Sequence, residues 1–295
     1  MMAIDNEHKM KLLCDKYIKY LFIACAFFMT VIIFSIILFI GNQGLMTFKD
    51  VGVIEFFFSS KWDPWAGEYG AASFIVGSIT VTLLAIIIGG PLGLAGAIFM
   101  AKIAPKWVRE LMRPATDLYV AIPSVVYGYI GLTLFIPFFR DIFGVTTGFG
   151  VFVAGVILAI MILPTVISIS EDAIRAVPTP LEEASLALGA TRWQTIWKVL
   201  LPAALPGVLT SIILAMARAI GETMAVQMVI GNTPLLLKGL FTPTSALTSN
   251  IVVEMGNTPF GSTWGNSLFL MALVLLIISL GMILGIKKIG ARRGF

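Results

Sequence analysis

The sequence of 295 residues predicts an all-α membrane protein of six transmembrane helices with both termini on the cytoplasmic side. Composition is the first ground: 58% of the residues are hydrophobic, 12% are charged and the mean hydropathy is +0.98. A soluble chain is nearer half apolar and a quarter charged, so much of this apolar surface needs the bilayer as its solvent. The second ground is six apolar runs, each long enough to cross the hydrocarbon, for which ~20 residues suffice. The third is the sorting of Lys and Arg onto alternate loops. That sorting gives the net charge of +4 a role in membrane orientation, and no nucleic-acid partner is expected.

The first run, residues 17–40, exceeds a signal-peptide core, and no small-residue cleavage site follows it, so it is expected to stay as a helix. The second, residues 73–101, holds Gly89, Gly90, Pro91 and Gly93. A bend or strong tilt is expected there, with neighbouring helices satisfying the freed carbonyls. The other runs are residues 118–139, 151–170, 205–230 and 268–289. On one side lie Lys9, Lys11, Lys16 and Lys19, then Lys102, Lys106, Arg109 and Arg113. Arg175, Arg192 and Lys198, then Lys287, Lys288, Arg292 and Arg293, join them. The opposite side has only Lys49, Lys61, Arg140 and Lys238. The basic side is therefore cytoplasmic.

The external loops are then residues 41–72 and 231–267. Trp62, Trp65 and Tyr69 fit a headgroup anchor before the second span. The later loop is rich in Asn, Thr, Pro, Ser and Gly and is expected to form a structured cap, with a short helix near residues 249–255. Small residues at helical spacing (Gly89 and Gly93, Gly93 and Ala97, Gly281 and Gly285) mark close helix approach and say nothing about substrate. No repeat or linker divides the chain, so residues 1–295 read as one domain. Cys14 and Cys25 form no framework for structural disulfides, and His8 alone builds no metal site.

Residues 171–206 form an unusually long connection, cytoplasmic by charge. Pro178 and Pro180 interrupt any helix running on from the fourth span. A new helix is expected from about Thr179, with Glu182 and Glu183 in its first turn, where carboxylates suit the positive helix end. Gly189 stops it or admits a partner. A second short helix, residues 193–201, is expected to end before Pro202. Such a pair either lies flat on the membrane or docks into a soluble partner.

Among the spans, only the fifth carries ionisable residues near its middle, Arg218 and Glu222. Four apart, they are expected to share one helix face. An unpaired charge at bilayer depth costs at least a few kcal/mol, so they should face an interface or an aqueous path. Two readings stay open: an ion pair that glues helices, or an anion path whose wall is Arg218. The guanidinium fork suits a tetrahedral oxyanion. Thr223 offers a further hydroxyl donor.

The run Glu183-Ala184-Ser185, three residues, Gly189, nine residues, Val199, one residue, Leu201-Pro202 resembles the EAA motif of ABC-importer permeases, with Ser185 and Val199 in place of the usual Ala and Ile. The resemblance implies a MetI-like permease fold and a coupling helix seated in a groove of an ATPase subunit. The chain has no Walker A sequence, so no catalytic residue or cofactor is assigned to it; ATP and Mg belong on the partner ATPase. The stretch Arg218 to Val226 with Ile230-Gly231-Asn232, together with Lys61-Trp62-Asp63-Pro64 and Ala121 to Gly128, is similar to the PstC-type permeases of the high-affinity phosphate importer. That resemblance implies a homologous partner permease, two ATPase subunits and an external phosphate-binding protein. The sister PstA type and permeases for molybdate, tungstate or sulfate are the nearest alternatives. An ion-gradient transporter would show paired interrupted helices in two repeated halves, and none is found. A membrane enzyme would need clustered reactive groups at one depth.

Overall fold

A computed structural model describes residues 2–291, with side chains over residues 16–288. The assignments made above for His8, Lys9, Lys11, Cys14, Arg292 and Arg293 rest on side chains outside those described. Helix α1 (Met2–Met46) runs past its expected end and lies at the edge of the molecule. A short helix α2 (Val53–Phe58) follows, then a small hairpin of β1 (Trp62–Asp63) and β2 (Glu68–Tyr69), with Trp62 opposite Tyr69.

The second span, α3 (Ala72–Ile98), continues unbroken through Pro91 into a π turn at Phe99–Ile103. Its glycines serve close approach. A Cβ on Gly89 would come within 2.9 Å of Ile162, and one on Gly93 within 2.6 Å of Val166. Gly281 and Gly285 have nothing so near in this chain.

The third span begins later than expected. Pro123 disfavours helix at the residue before it, and Ile122 is extended (φ −66°, ψ 128°). Residues 118–121 therefore close a separate amphipathic helix, α4 (Lys106–Ala121), none of whose residues is buried. The span itself is α5 (Ser124–Ile130), a π turn at Gly131–Phe135 and α6 (Ile136–Phe143). The fourth, α7 (Val151–Arg175), is longer than its apolar run because Glu171 and Arg175 pair one turn apart, at 2.6 Å.

Beyond it come α8 (Thr179–Ala187) and α9 (Arg192–Thr195). The helix expected to end before Pro202 instead runs on. A π turn at Ile196–Leu200 leads into α10 (Leu201–Gly221), widening the ladder just where Pro202 has no N–H to donate. Then follow α11 (Met224–Val229), α12 (Leu247–Met255) and the last span, α13 (Thr263–Ala291).

Six helical stretches among the described residues are long and apolar enough to cross a membrane: Lys16–Lys49, Ala72–Ile103, Ser124–Phe143, Val151–Arg175, Arg192–Gly221 and Thr263–Lys288. Helices α3, α7 and α10 form the centre, where Val81, Ala85, Leu158, Ile162, Val166 and Ala215 are buried together. At one end, Phe56, Trp62, Phe74, Leu247 and Met271 close a second cluster under the cap. At the other, Ile174, Ile196, Leu200 and Ala204 pack beneath the α8–α9 loop.

Candidate functional site

The expected shared face of Arg218 and Glu222 does not form, because the fifth span breaks between them. Helix α10 ends at Gly221, a weak helix former; Glu222 is extended (φ −69°, ψ 129°), and helix resumes at Met224. A break at apolar depth is tolerated only where the freed backbone groups find partners. Here they do. Ala225 N–H donates to Glu222 Oε1 at 3.2 Å, and Glu222 N–H donates to the Ala219 carbonyl at 3.3 Å. The Thr223 hydroxyl donates to the Gly221 carbonyl at 3.2 Å. The Glu222 carbonyl accepts from the Thr248 hydroxyl at 3.1 Å. Glu222 thus bonds the returning helix and makes no ion pair with Arg218, and Thr223 bonds its own backbone. A water-sized cavity of ≈ 10 Å³ adjoins the break, bordered by Ser78, Thr82, Glu222 and Thr248.

Arg218 stands in the last turn of α10, half-buried. Among the described residues its guanidinium has no ion-pair partner. None of its nitrogens is both buried and without a hydrogen bond, and the residue is partly exposed. A cation left so in a span needs water or an anion to offset its desolvation.

At the far end of the same span lies the loop that carries the EAA-like run. Helix α8 starts at Thr179 behind Pro178, places Glu182 in its first turn and buries none of its residues. Gly189 follows at φ +84°, a left-handed backbone that stops the helix and that β-carbon-bearing residues adopt at a cost. Leu188 is 90% exposed, and Leu181 and Leu186 are exposed as well. Glu183 and Ala184 face outward, whereas the Ser185 hydroxyl lies 3.0 Å from that of Thr195 and ties the two arms together. Leu201 is buried under the loop and Pro202 is exposed.

One ion pair fastens this loop to the end of the second span, and a network beside it joins α4 to α7. Lys102 meets Glu182 at 2.5 Å, Arg113 meets Asp172 at 2.8 Å, and the nearly buried Glu171 lies between Arg175 and Arg113, 3.8 Å from the latter. Sequence reasoning passed over this network. Its one local signal is the four-residue spacing of Glu171 and Arg175.

The cap end holds a clamp that also went unread. Glu254, on α12, accepts from the Trp62 indole at 2.8 Å through one oxygen and from the Trp264 indole at 2.7 Å through the other. Burial pushes its carboxyl above the ordinary value, and the two indole bonds offset this in part. Trp65, expected as an anchor beside Trp62, is exposed and stacks edge-on with Trp264 at 5.6 Å, while Trp62 is buried.

Comparison with known proteins adds lineage to this geometry. The family of binding-protein-dependent transport system inner membrane components matches residues 91–287. The chain is 47% identical to the probable ABC transporter permease protein YqgH of Bacillus subtilis, over 92% of this chain and 89% of that one. It is 32% identical to the phosphate transport system permease protein PstC of Xylella fastidiosa, over 90% of this chain and 87% of that one. Among solved structures, a bacterial ABC transporter that imports the acidic polysaccharide alginate aligns with a TM-score of 0.63 at 17% identity, covering 95% of this chain and 99% of that one. The MetNI methionine ABC transporter aligns at 0.52 and 24% identity, covering 79% and 97%. The fold is that of the MetI-like permeases.

Proposed function

The chain belongs to the family of binding-protein-dependent transport system inner membrane components and is a multi-pass permease subunit of an ABC importer, and from that premise we propose that its cargo is inorganic phosphate. The observation that carries the reading is Arg218: a cation on a span, without a counter-ion among the described residues and partly exposed. PstC relatives aligned over most of the chain support phosphate as the anion it meets.

In this reading Arg218 lines the path between this subunit and a homologous permease. Its planar fork donates paired hydrogen bonds to two oxygens of a tetrahedral anion, and its charge offsets the loss of hydration there. Glu222 turns a carboxyl oxygen to the returning helix and forms no ion pair with Arg218, which leaves the guanidinium for the anion. The termini and the α8–α9 loop are cytoplasmic, and the cap faces outward in the inner membrane, where an external phosphate-binding protein delivers cargo.

Coupling follows from the far end of the span. Leu181, Leu186 and Leu188 offer apolar side chains that water does not favour, on a helix with Glu183 exposed beside them. A groove on one of two separate ATPase subunits, which bind ATP and Mg, takes this helix, and the homologous permease engages the other. Lys102 passes its displacement to the end of the second span, and the Arg113 network couples α4 to α7 beside it.

The test is uptake of radiolabelled phosphate by cells lacking their own importer and expressing this chain with its partner subunits. Excess arsenate should block uptake, and sulfate and molybdate should not. Competition by molybdate or sulfate, or no phosphate uptake from an assembled complex, removes phosphate as the cargo.

A further inference from the structure

The break beside Arg218 is held from outside the fifth span. Of the groups that close it, the Thr248 hydroxyl alone comes from another element, and it accounts for a carbonyl that the break strips of its helical partner. Thr248 is placed with unusual firmness. Residues 244–250 are all buried. Leu247 N–H donates to Ser78 Oγ on α3 at 2.8 Å, and Ser249 closes the first turn of α12 through Ala246 at 3.0 Å. A Cβ on Gly77 would collide with the Ser245 carbonyl, so α3 and the entry to α12 lie backbone against backbone. The opposite end of α12 carries Glu254, gripped by Trp62 and Trp264. One short helix, ~13 Å long at 1.5 Å per residue, therefore joins the break to the cap surface.

We propose that Thr248 is a positioning residue for the anion path: its hydroxyl holds the Glu222 carbonyl, fixes the break in the fifth span and so fixes where Arg218 stands. Helix α12 is then a strut between the cap, gripped at Glu254, and that break. A displacement of the cap reaches Arg218 through Thr248 without passing through the apolar core of α3 and α7. This inference rests on the proposed role of Arg218, while the latch itself is a property of the fold.

Two variants separate the hydroxyl from the space it fills. Thr248→Val removes the donor and keeps the shape; Thr248→Ser keeps the donor. The assembled complex in proteoliposomes is read by amide hydrogen exchange over residues 223–229 and by ATP-driven uptake of labelled phosphate. In Thr248→Val, exchange over residues 223–229 should rise about tenfold and uptake should fall about tenfold, the scale of one unpaired, partly buried carbonyl. Thr248→Ser should stay within about threefold of wild type in both. Unchanged exchange in Thr248→Val overturns the latch. Raised exchange with wild-type uptake overturns its role in the path. Equal damage in Thr248→Ser shows that the hydroxyl is not the cause. A wild-type complex that moves no phosphate contradicts the proposed cargo instead, and the exchange arm still decides the latch.

Discussion

Arg218 separates two accounts that its position in the sequence left open. A residue that glued helices through an ion pair would destabilise the protein when neutralised; Arg218 has no such pair among the described residues. Arg218→Gln should therefore assemble with normal thermal stability and still lose transport. Charge-assisted hydrogen bonds of ~1.5–3 kcal/mol correspond to ~10–100-fold in rate. Arg218→Lys, which keeps the charge and loses the fork, should fall between. Thermal melting beside uptake rates checks this, and a destabilised complex with residual uptake in proportion would restore the glue. Glu254 gives a second prediction, in pH. Its folded carboxyl holds a proton to higher pH than the unfolded one, because burial raises it. Stability from this group is thus highest below the ordinary carboxylate range, falls as pH rises through the raised value and is level above it. Glu254→Gln should abolish that slope. At acid pH, where the wild type is most stable, it should also cost ~1 kcal/mol, and less as pH rises, since an NH2 group replaces one of the two accepting oxygens. Melting curves between acid and neutral pH that keep the same slope in the variant would contradict the assignment.

At the scale of elements, the loop and the break behave differently under sequence reading. The start of α8 at Thr179 and its stop at Gly189 were legible because Pro178 and a left-handed glycine act locally. The break at Glu222 was not, since the run from Leu205 to Ile230 stays predominantly apolar on both sides of Glu222, and its few polar residues, such as Thr210 and Gln227, mark no interruption. What holds it open is Thr248, 26 residues along the chain, and no local pattern reports that contact. The third span was misplaced for a related reason. Apolar content continues through Leu118–Ala121, and only Pro123 marks the corner. The Lys102–Glu182 pair yields an element-scale prediction. Glu182→Lys and Lys102→Glu should each weaken ATP-driven uptake, and the double exchange should recover most of it. At 19% and 30% side-chain exposure the pair is partly screened, so the effect on stability should stay near or below ~1 kcal/mol. Normal uptake in both single variants would mean that the pair transmits nothing.

For the molecule as a whole, the six spans and the family were legible because hydropathy and the EAA-like spacing are properties of runs of residues. The placement of side chains across spans was not, as the Arg113, Glu171, Asp172 and Arg175 network shows: its members come from α4 and α7, and only tertiary packing brings them together. The architecture puts the exposed helix α8 at one end of the fifth span and, beside a break at the other, a cation with no ion pair among the described residues. In the proposed reading, transport of an anion needs both ends of that span. The most direct test is ATP-driven uptake of labelled phosphate by proteoliposomes holding the purified complex, comparing wild type with Arg218→Gln at equal amounts of assembled protein. The account predicts ATP-dependent phosphate accumulation by the wild type and a loss of ~10-fold or more in the variant. Equal accumulation by both, or none by the wild type with ATP hydrolysis intact, would contradict it.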